Sequence, residues 1–175
     1  HHSPVELTQA ELSVPNYQKA DLAVTMSKEP HEIPQNQMAS YVNYIVKVEG
    51  PVHIDEVARR VASAFGKNRT GSRIQDAVML GLKNAKRNLA IKSSEDFWFT
   101  EEQEKNVPIR NREAEASPTN KAEFLSPMEI RGAANLIEKE SGYVPQDELV
   151  RSISRLLGYK RAGQDFKEKV LKALS

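Results

Sequence analysis

Shifting residues 43–82 by 92 positions lays them on residues 135–174 without a gap, and thirteen of the forty positions keep the same residue. The shared residues include Asn43/Asn135, Gly50/Gly142, Asp55/Asp147, Glu56/Glu148, Arg59/Arg151, Gly66/Gly158, Arg69/Arg161 and Gly71/Gly163. Apolar positions match in kind, as at Val57/Leu149, Val61/Ile153, Phe65/Leu157 and Ile74/Phe166. A chain that repeats at this length is expected to fold as two similar units, each with its own apolar face to bury. A feature present in both copies is then expected to hold the fold before it performs chemistry.

The 175 residues suffice for one or two small domains. No apolar run approaches the roughly 18–20 residues that span a bilayer, and no signal-peptide pattern opens the sequence. The absence of cysteine excludes disulfides and thiolate metal sites and suits a cytoplasmic setting. His1-His2-Ser3 reads as a tag remnant and is kept out of any metal argument. With no initiating Met, the chain is expected to be a piece of a longer protein.

Net charge is +1 but unevenly spread. Residues 53–92 hold nine Lys/Arg against three Asp/Glu, and residues 93–124 hold four against eight. The basic stretch makes nucleic acid the candidate partner. A solvated helix face is the competing explanation.

Residues 1–37 carry Pro4, Pro15, Pro30 and Pro34 and read as an arm or linker, with a short helix at Leu7–Leu12. Met38, Tyr41, Val42, Ile45 and Val46 then recur at helical spacing. Glu49-Gly50-Pro51 stops that helix. Val52-His53-Ile54 is a short extended piece. A second helix is expected over about 55–65 and a third over about 72–88. Two β-prone runs, 89–92 and 97–100, flank the polar turn Ser93-Ser94-Glu95-Asp96 and predict a hairpin. Helix, short strand, helix, turn, helix, hairpin is the order of a winged helix-turn-helix domain, here bounded at 38–112, with the third helix as recognition helix. Val107-Pro108-Ile109-Arg110 is expected to lie along this unit. Residues 113–125 read as a linker. Ser126-Pro127-Met128-Glu129 opens the second unit, 126–175, with Ser at the cap, Pro at the first helical position and Glu three after the cap. Its helices are expected at about 127–141, 146–157 and 164–174, with no wing. The expected fold class is mainly α with a small β wing, a winged helix-turn-helix domain followed by a related three-helix domain.

Gly66 to Gly71 resembles a phosphate loop only superficially. A P-loop needs a strand before its first glycine and Lys-Ser/Thr after its second, whereas here a helix precedes and Ser72-Arg73 follows. The expectation is a helix-capping glycine, a short turn, and a second glycine that lets the next helix start tightly. Arg69/Arg161 and Arg59/Arg151 either meet phosphate near the third helix or pair with the recurring acids Asp55-Glu56 and Asp147-Glu148.

The expected nucleic-acid contacts are Arg69, Arg73, Gln75, Lys83, Asn84, Lys86, Arg87 and Lys92. Arg, Asn and Gln suit base edges and Lys suits phosphates. Asp76 weakens the patch. Phe97-Trp98-Phe99 is expected to pack on the helices, with base stacking by an exposed ring as the alternative. His31 and His53 are isolated, no Gly-x-Ser-x-Gly appears, and Asp165-Phe166-Lys167 is the one Asp/Glu-x-Lys triplet. No catalytic residue, metal site or cofactor is expected.

The run from Ile45 through Glu49-Gly50-Pro51-Val52-His53 to Glu56-Val57-Ala58-Arg59-Arg60-Val61, with Gly66 and Arg69-Thr70-Gly71-Ser72-Arg73-Ile74, resembles a bacterial and archaeal family of unknown function, the domain family numbered 3320. Phe97-Trp98, Val107-Pro108-Ile109-Arg110-Asn111-Arg112 and Pro127-Met128-Glu129-Ile130 are also similar to its pattern. The resemblance implies a C-terminal domain of large superfamily I helicase-like proteins, often beside a Vsr-like endonuclease domain. It carries over no catalytic residue. The expectation is a non-enzymatic module that contacts DNA for such a parent. The alternative is a docking or dimerisation module of the same parent.

Overall fold

The structure, a computed structural model, describes residues 12–24, 27–161 and 163–175. The expected helix at Leu7–Leu12 lies outside these residues except for Leu12, which is not helical. The chain is mainly helical with one three-stranded antiparallel sheet. It divides into two compact units, one spanning Gln18–Asn106, the other joining residues 12–17 with Val107–Ser175. The stretch 107–112, read from sequence with the first unit, clusters with the second.

In the first unit, α1 spans Gln35–Glu49, starting earlier than its apolar stripe because Pro34 supplies the cap position. It buries Met38, Ala39, Val42, Ile45 and Val46, and stops at Gly50-Pro51. Strand β1 is Val52–His53, and α2 is Ile54–Ala64. The His53 imidazole caps α2, its Nδ1 accepting from the Asp55 amide at 3.0 Å. This serves the role of an N-cap oxygen by satisfying an orphan amide. Helix α3, Ser72–Asn88, buries Ile74, Val78, Gly81, Leu82 and Ala85.

Strand β2 is Lys92–Ser94 and β3 is Phe97–Phe99. The first hairpin strand therefore starts later than its apolar residues suggest. Leu89 caps α3, and Ala90 takes a left-handed φ of 63° that interrupts extension. The sheet order is β1-β3-β2, with Val52 opposite Trp98 and Ser93 opposite Trp98. Phe97, Trp98 and Phe99 of the central strand are all buried, so both faces of β3 are covered. Trp98 joins the helical core, and Phe97 meets His53 edge-on at 5.2 Å. No ring of this run is exposed for stacking on a base. Helix α4, Glu101–Lys105, is fixed by a Thr100/Gln103 capping box. The Gln103 amide also donates to the carbonyls of Val46 (2.9 Å) and Lys47 (3.1 Å), closing the C-terminal end of α1.

Charges are buried here as a network. Arg60 donates to Glu49 through Nε and Nη2, both at 2.8 Å, and to Glu56 at 2.7 Å. Arg59 also pairs with Glu56, and the Ala20 amide donates to Glu49 at 2.8 Å. A carboxylate on the last residue of α1 opposes the helix dipole, and the Arg60 guanidinium offsets that.

In the second unit, α5 is Pro127–Ser141, α6 is Gln146–Leu156 and α7 is Gln164–Leu174. Each starts 92 positions after its counterpart: Gln35 and Pro127, Ile54 and Gln146, Ser72 and Gln164. The turn after α2 recurs bond for bond after α6. Gly66 N donates to Ser63 O and Lys67 N to Ala62 O, as Gly158 N does to Arg155 O and Tyr159 N to Ser154 O. Gly66 and Gly158 both adopt positive φ, 71° and 80°.

Ser126 caps α5 as expected, accepting from Met128 N at 3.1 Å. Glu129 does not complete a capping box. It is fully buried and takes two hydrogen bonds of 2.7 Å from Arg112, plus one of 2.9 Å from the Arg110 amide. The Tyr17 ring lies 4.9 Å from the Arg112 guanidinium. Tyr17 N donates to Asn111 O and Asn111 N to Pro15 O, so segments 15–17 and 111–112 run together as an irregular parallel bridge. Burial opposes the charge on Arg112, but the Glu129 carboxylate, by charge and hydrogen bonding, holds that guanidinium above its ordinary pKa.

Gly158 is required twice over. Its φ is positive, and a Cβ there would collide with Asn111 Oδ1 and the Glu113 and Arg112 amides. Gly158→Ala is expected to destabilise the second unit by about 2–3 kcal/mol, read as a lowered urea midpoint with an unchanged slope.

Candidate nucleic-acid interface

The exposed face of α3 follows from its buried one. With Ile74, Val78, Leu82 and Ala85 inside, residues three and four apart on the opposite side, Arg73, Asp76, Leu80, Lys83 and Arg87, stand in solvent. Arg69 is exposed in the preceding turn. Among the described residues, the side chains of Arg69, Arg73, Lys83 and Arg87 form no hydrogen bond or ion pair.

The other four expected contacts are engaged within the unit. Gln75 donates to Asp55 at 2.9 Å. Asn84 accepts from Asn88 at 2.9 Å. Lys86 donates to Ser93 at 3.0 Å and sits 5.9 Å over the Trp98 ring. Lys92 pairs with Glu104 at 2.6 Å, and the hydrogen bond to that carboxylate raises its pKa. Gln75 and Lys92 thus tie α3 to α2 and the hairpin to α4.

One residue of this face escaped the sequence reading. Leu80 is 48% exposed at its centre. The signal for it was present, since Leu80 falls off the buried stripe of α3.

The glycine-flanked corner before α3 is backbone architecture. Helix α2 ends at its cap residue Phe65, Gly66 follows at positive φ and donates back to Ser63 O, and Lys67 is held by Glu29 at 2.7 Å. That contact, chiefly through its hydrogen bond, lowers the pKa of Glu29. Gly71 differs from the expectation. Its φ of −69° is open to any residue, and a Cβ there would meet nothing within 4 Å. Its lack of a side chain leaves the first amides of α3 without a side-chain cap. Of the recurring arginines, Arg59 does pair with a recurring acid, Glu56. Arg69 and Arg151 do not pair with one.

No group of three or more His, Cys, Asp or Glu clusters among the described residues, and no described helix is long and apolar enough to cross a membrane.

The geometry defines a mainly helical unit with a small sheet and a helix face whose cations have no internal acid partner. A family model described as "Protein of unknown function (DUF3320)" matches residues 28–76, from ahead of α1 to the first turns of α3. The match covers less than half the chain. It takes in Arg69 and Arg73 and stops short of Lys83 and Arg87. No curated protein and no solved structure matches the chain.

Proposed function

We propose that the first unit is a winged helix-turn-helix module that contacts DNA through α3 without catalysing a reaction. The observation that carries this reading is the set of four unpaired cations, Arg69, Arg73, Lys83 and Arg87, in and just before α3. Cations already committed to internal acids would gain little from phosphate, whereas these lose only water and counterions. Support for the winged-helix architecture comes from the element order and from the sheet order β1-β3-β2, in which the hairpin closes onto the short strand between α1 and α2. The second unit reads as a duplicated copy of the same helical trio, supported by the constant offset of its helix starts and by its matching turn hydrogen bonds. Its α7 presents Asp165 and Glu168 beside Lys167 and Lys172 and is not a comparable basic face.

The contact is sequence-tolerant under this proposal, because the amide side chains suited to base edges, Gln75 and Asn84, are engaged within the unit, and arginine as well as lysine pairs with phosphate. A helicase/nuclease-like parent supplies the biological setting under this proposal, on the strength of the sequence resemblance alone. Arg73→Glu with Lys83→Glu is expected to weaken binding to a short duplex by roughly ten- to a hundredfold near 0.1 M salt. Its thermal midpoint should match the wild type, since neither side chain has an internal partner. Equal affinity in a fluorescence-anisotropy titration would refute the role.

Docking to another protein is the second reading. Leu80, half exposed between Asp76 and Lys83, favours it, because an apolar anchor ringed by charge suits a protein partner. Under that reading the double variant binds duplex no worse than the wild type.

A further inference from the structure

We propose that the second unit carries a phosphate-binding cavity formed by Arg151, Arg155 and Lys160. The cavity, about 440 Å³, lies at the end of α6 and the turn that follows it. That volume falls in the range of small-ligand sites, roughly 300–1,000 Å³, and exceeds what a single phosphate ion fills. Arg151 and Arg155 are four apart on α6 and so project from one face. Lys160 comes from the turn. The turn itself is held firmly: Ser154 Oγ–H donates to Tyr159 O at 2.6 Å, Tyr159 N donates back to Ser154 O at 2.9 Å, and the Tyr159 ring packs on Phe166 at 4.8 Å.

Three cations and one carboxylate, Glu113, line this space. Among the described residues none of the three cations forms an ion pair; Arg155 has a single 3.3 Å bond to Ser152 Oγ. Unneutralised guanidinium and ammonium groups lining one open concavity attract anions, and Arg geometry matches phosphoryl oxygens.

The first unit shows what the same place looks like without this function. The residues 92 positions earlier are Arg59, Ser63 and Asn68, and Arg59 is neutralised by Glu56. The second unit has freed the shared arginine and added two cations beside it. Features common to both copies maintain the turn, and this cluster exists in one copy only. The ligand class is a phosphate-bearing molecule of about nucleotide size, either free or as part of a single strand. The site does not depend on DNA binding by the first unit.

The test is calorimetric titration of the 175-residue chain with inorganic pyrophosphate and with a short oligothymidylate. Arg151→Gln with Arg155→Gln, and separately Lys160→Gln, should weaken binding of at least one probe by about tenfold or more. Thermal midpoints should be unchanged, as these side chains are exposed. Arg151→Lys with Arg155→Lys should retain part of the affinity. Arg73→Glu with Lys83→Glu should leave pyrophosphate binding untouched, which separates this site from the first unit's role. A loss confined to pyrophosphate assigns a free phosphate compound, and a loss that includes the oligonucleotide assigns a strand. The proposal is overturned if neither probe binds saturably, or if both bind the Arg151/Arg155 and Lys160 variants as tightly as the wild type.

Discussion

Arg112→Met is expected to cost the second unit about 3–5 kcal/mol, the usual penalty for stripping one partner from a buried ion pair. Glu129 is fully buried and receives both of its charge-assisted bonds from Arg112. After the substitution its remaining partner among the described residues is the Arg110 amide. Methionine roughly replaces the volume of the aliphatic stem but supplies no donor. The loss also removes the cation lying against Tyr17, so the segment 15–17 should loosen with it. Since whole domains are stable by only about 5–15 kcal/mol, urea unfolding followed by circular dichroism should show an early transition for this unit. Adding Glu129→Leu should recover much of the loss, because a buried pair replaced on both sides by apolar groups is often neutral. A single variant as stable as the wild type would show that Glu129 is not held as described.

Arg60→Met should be nearly as damaging to the first unit, again by about 3–5 kcal/mol. Arg60 bridges two buried acids, Glu49 and Glu56. Glu56 keeps Arg59, whereas Glu49 loses both guanidinium bonds and sits on the last residue of α1, where the helix dipole already disfavours an acid. The comparison with Arg59→Met is decisive. Arg59 is partly exposed and pairs with Glu56, which keeps Arg60 when Arg59 is lost, so its loss should cost about 1 kcal/mol or less. Similar costs for the two arginines, measured by urea midpoints, would contradict the assignment of Arg60 as the bridge.

These two pairs mark where the sequence stopped being legible. Helix positions could be read because they follow from periodicity and stop signals. Gly50-Pro51 ends α1 and Ser126-Pro127 begins α5 as their chemistry dictates. Charged residues carry no such local mark of their partners. Glu129 fits a capping box by spacing, yet Arg112, from a stretch read as the first unit's trailing end, offers a stronger bond. Glu49 and Arg60 stand eleven residues apart on different helices, a relation that no helical spacing encodes. The candidate interface was legible to the same degree. The sequence locates a basic helix, but it cannot distinguish Arg73, which stands free, from Lys92, which is tied to Glu104. At Gly71 the sequence shows a glycine before a helix but not the space around it, and that space is open, so the helix start does not need a glycine there.

The proposal that α3 contacts DNA is tested most directly by the salt dependence of duplex affinity. With four unpaired cations engaging phosphates, the logarithm of the association constant should fall against the logarithm of salt concentration with a slope of about −3 to −4, and Arg73→Gln with Lys83→Gln should reduce its magnitude by about 2. A slope near zero, or one that the double variant leaves unchanged, would contradict the account.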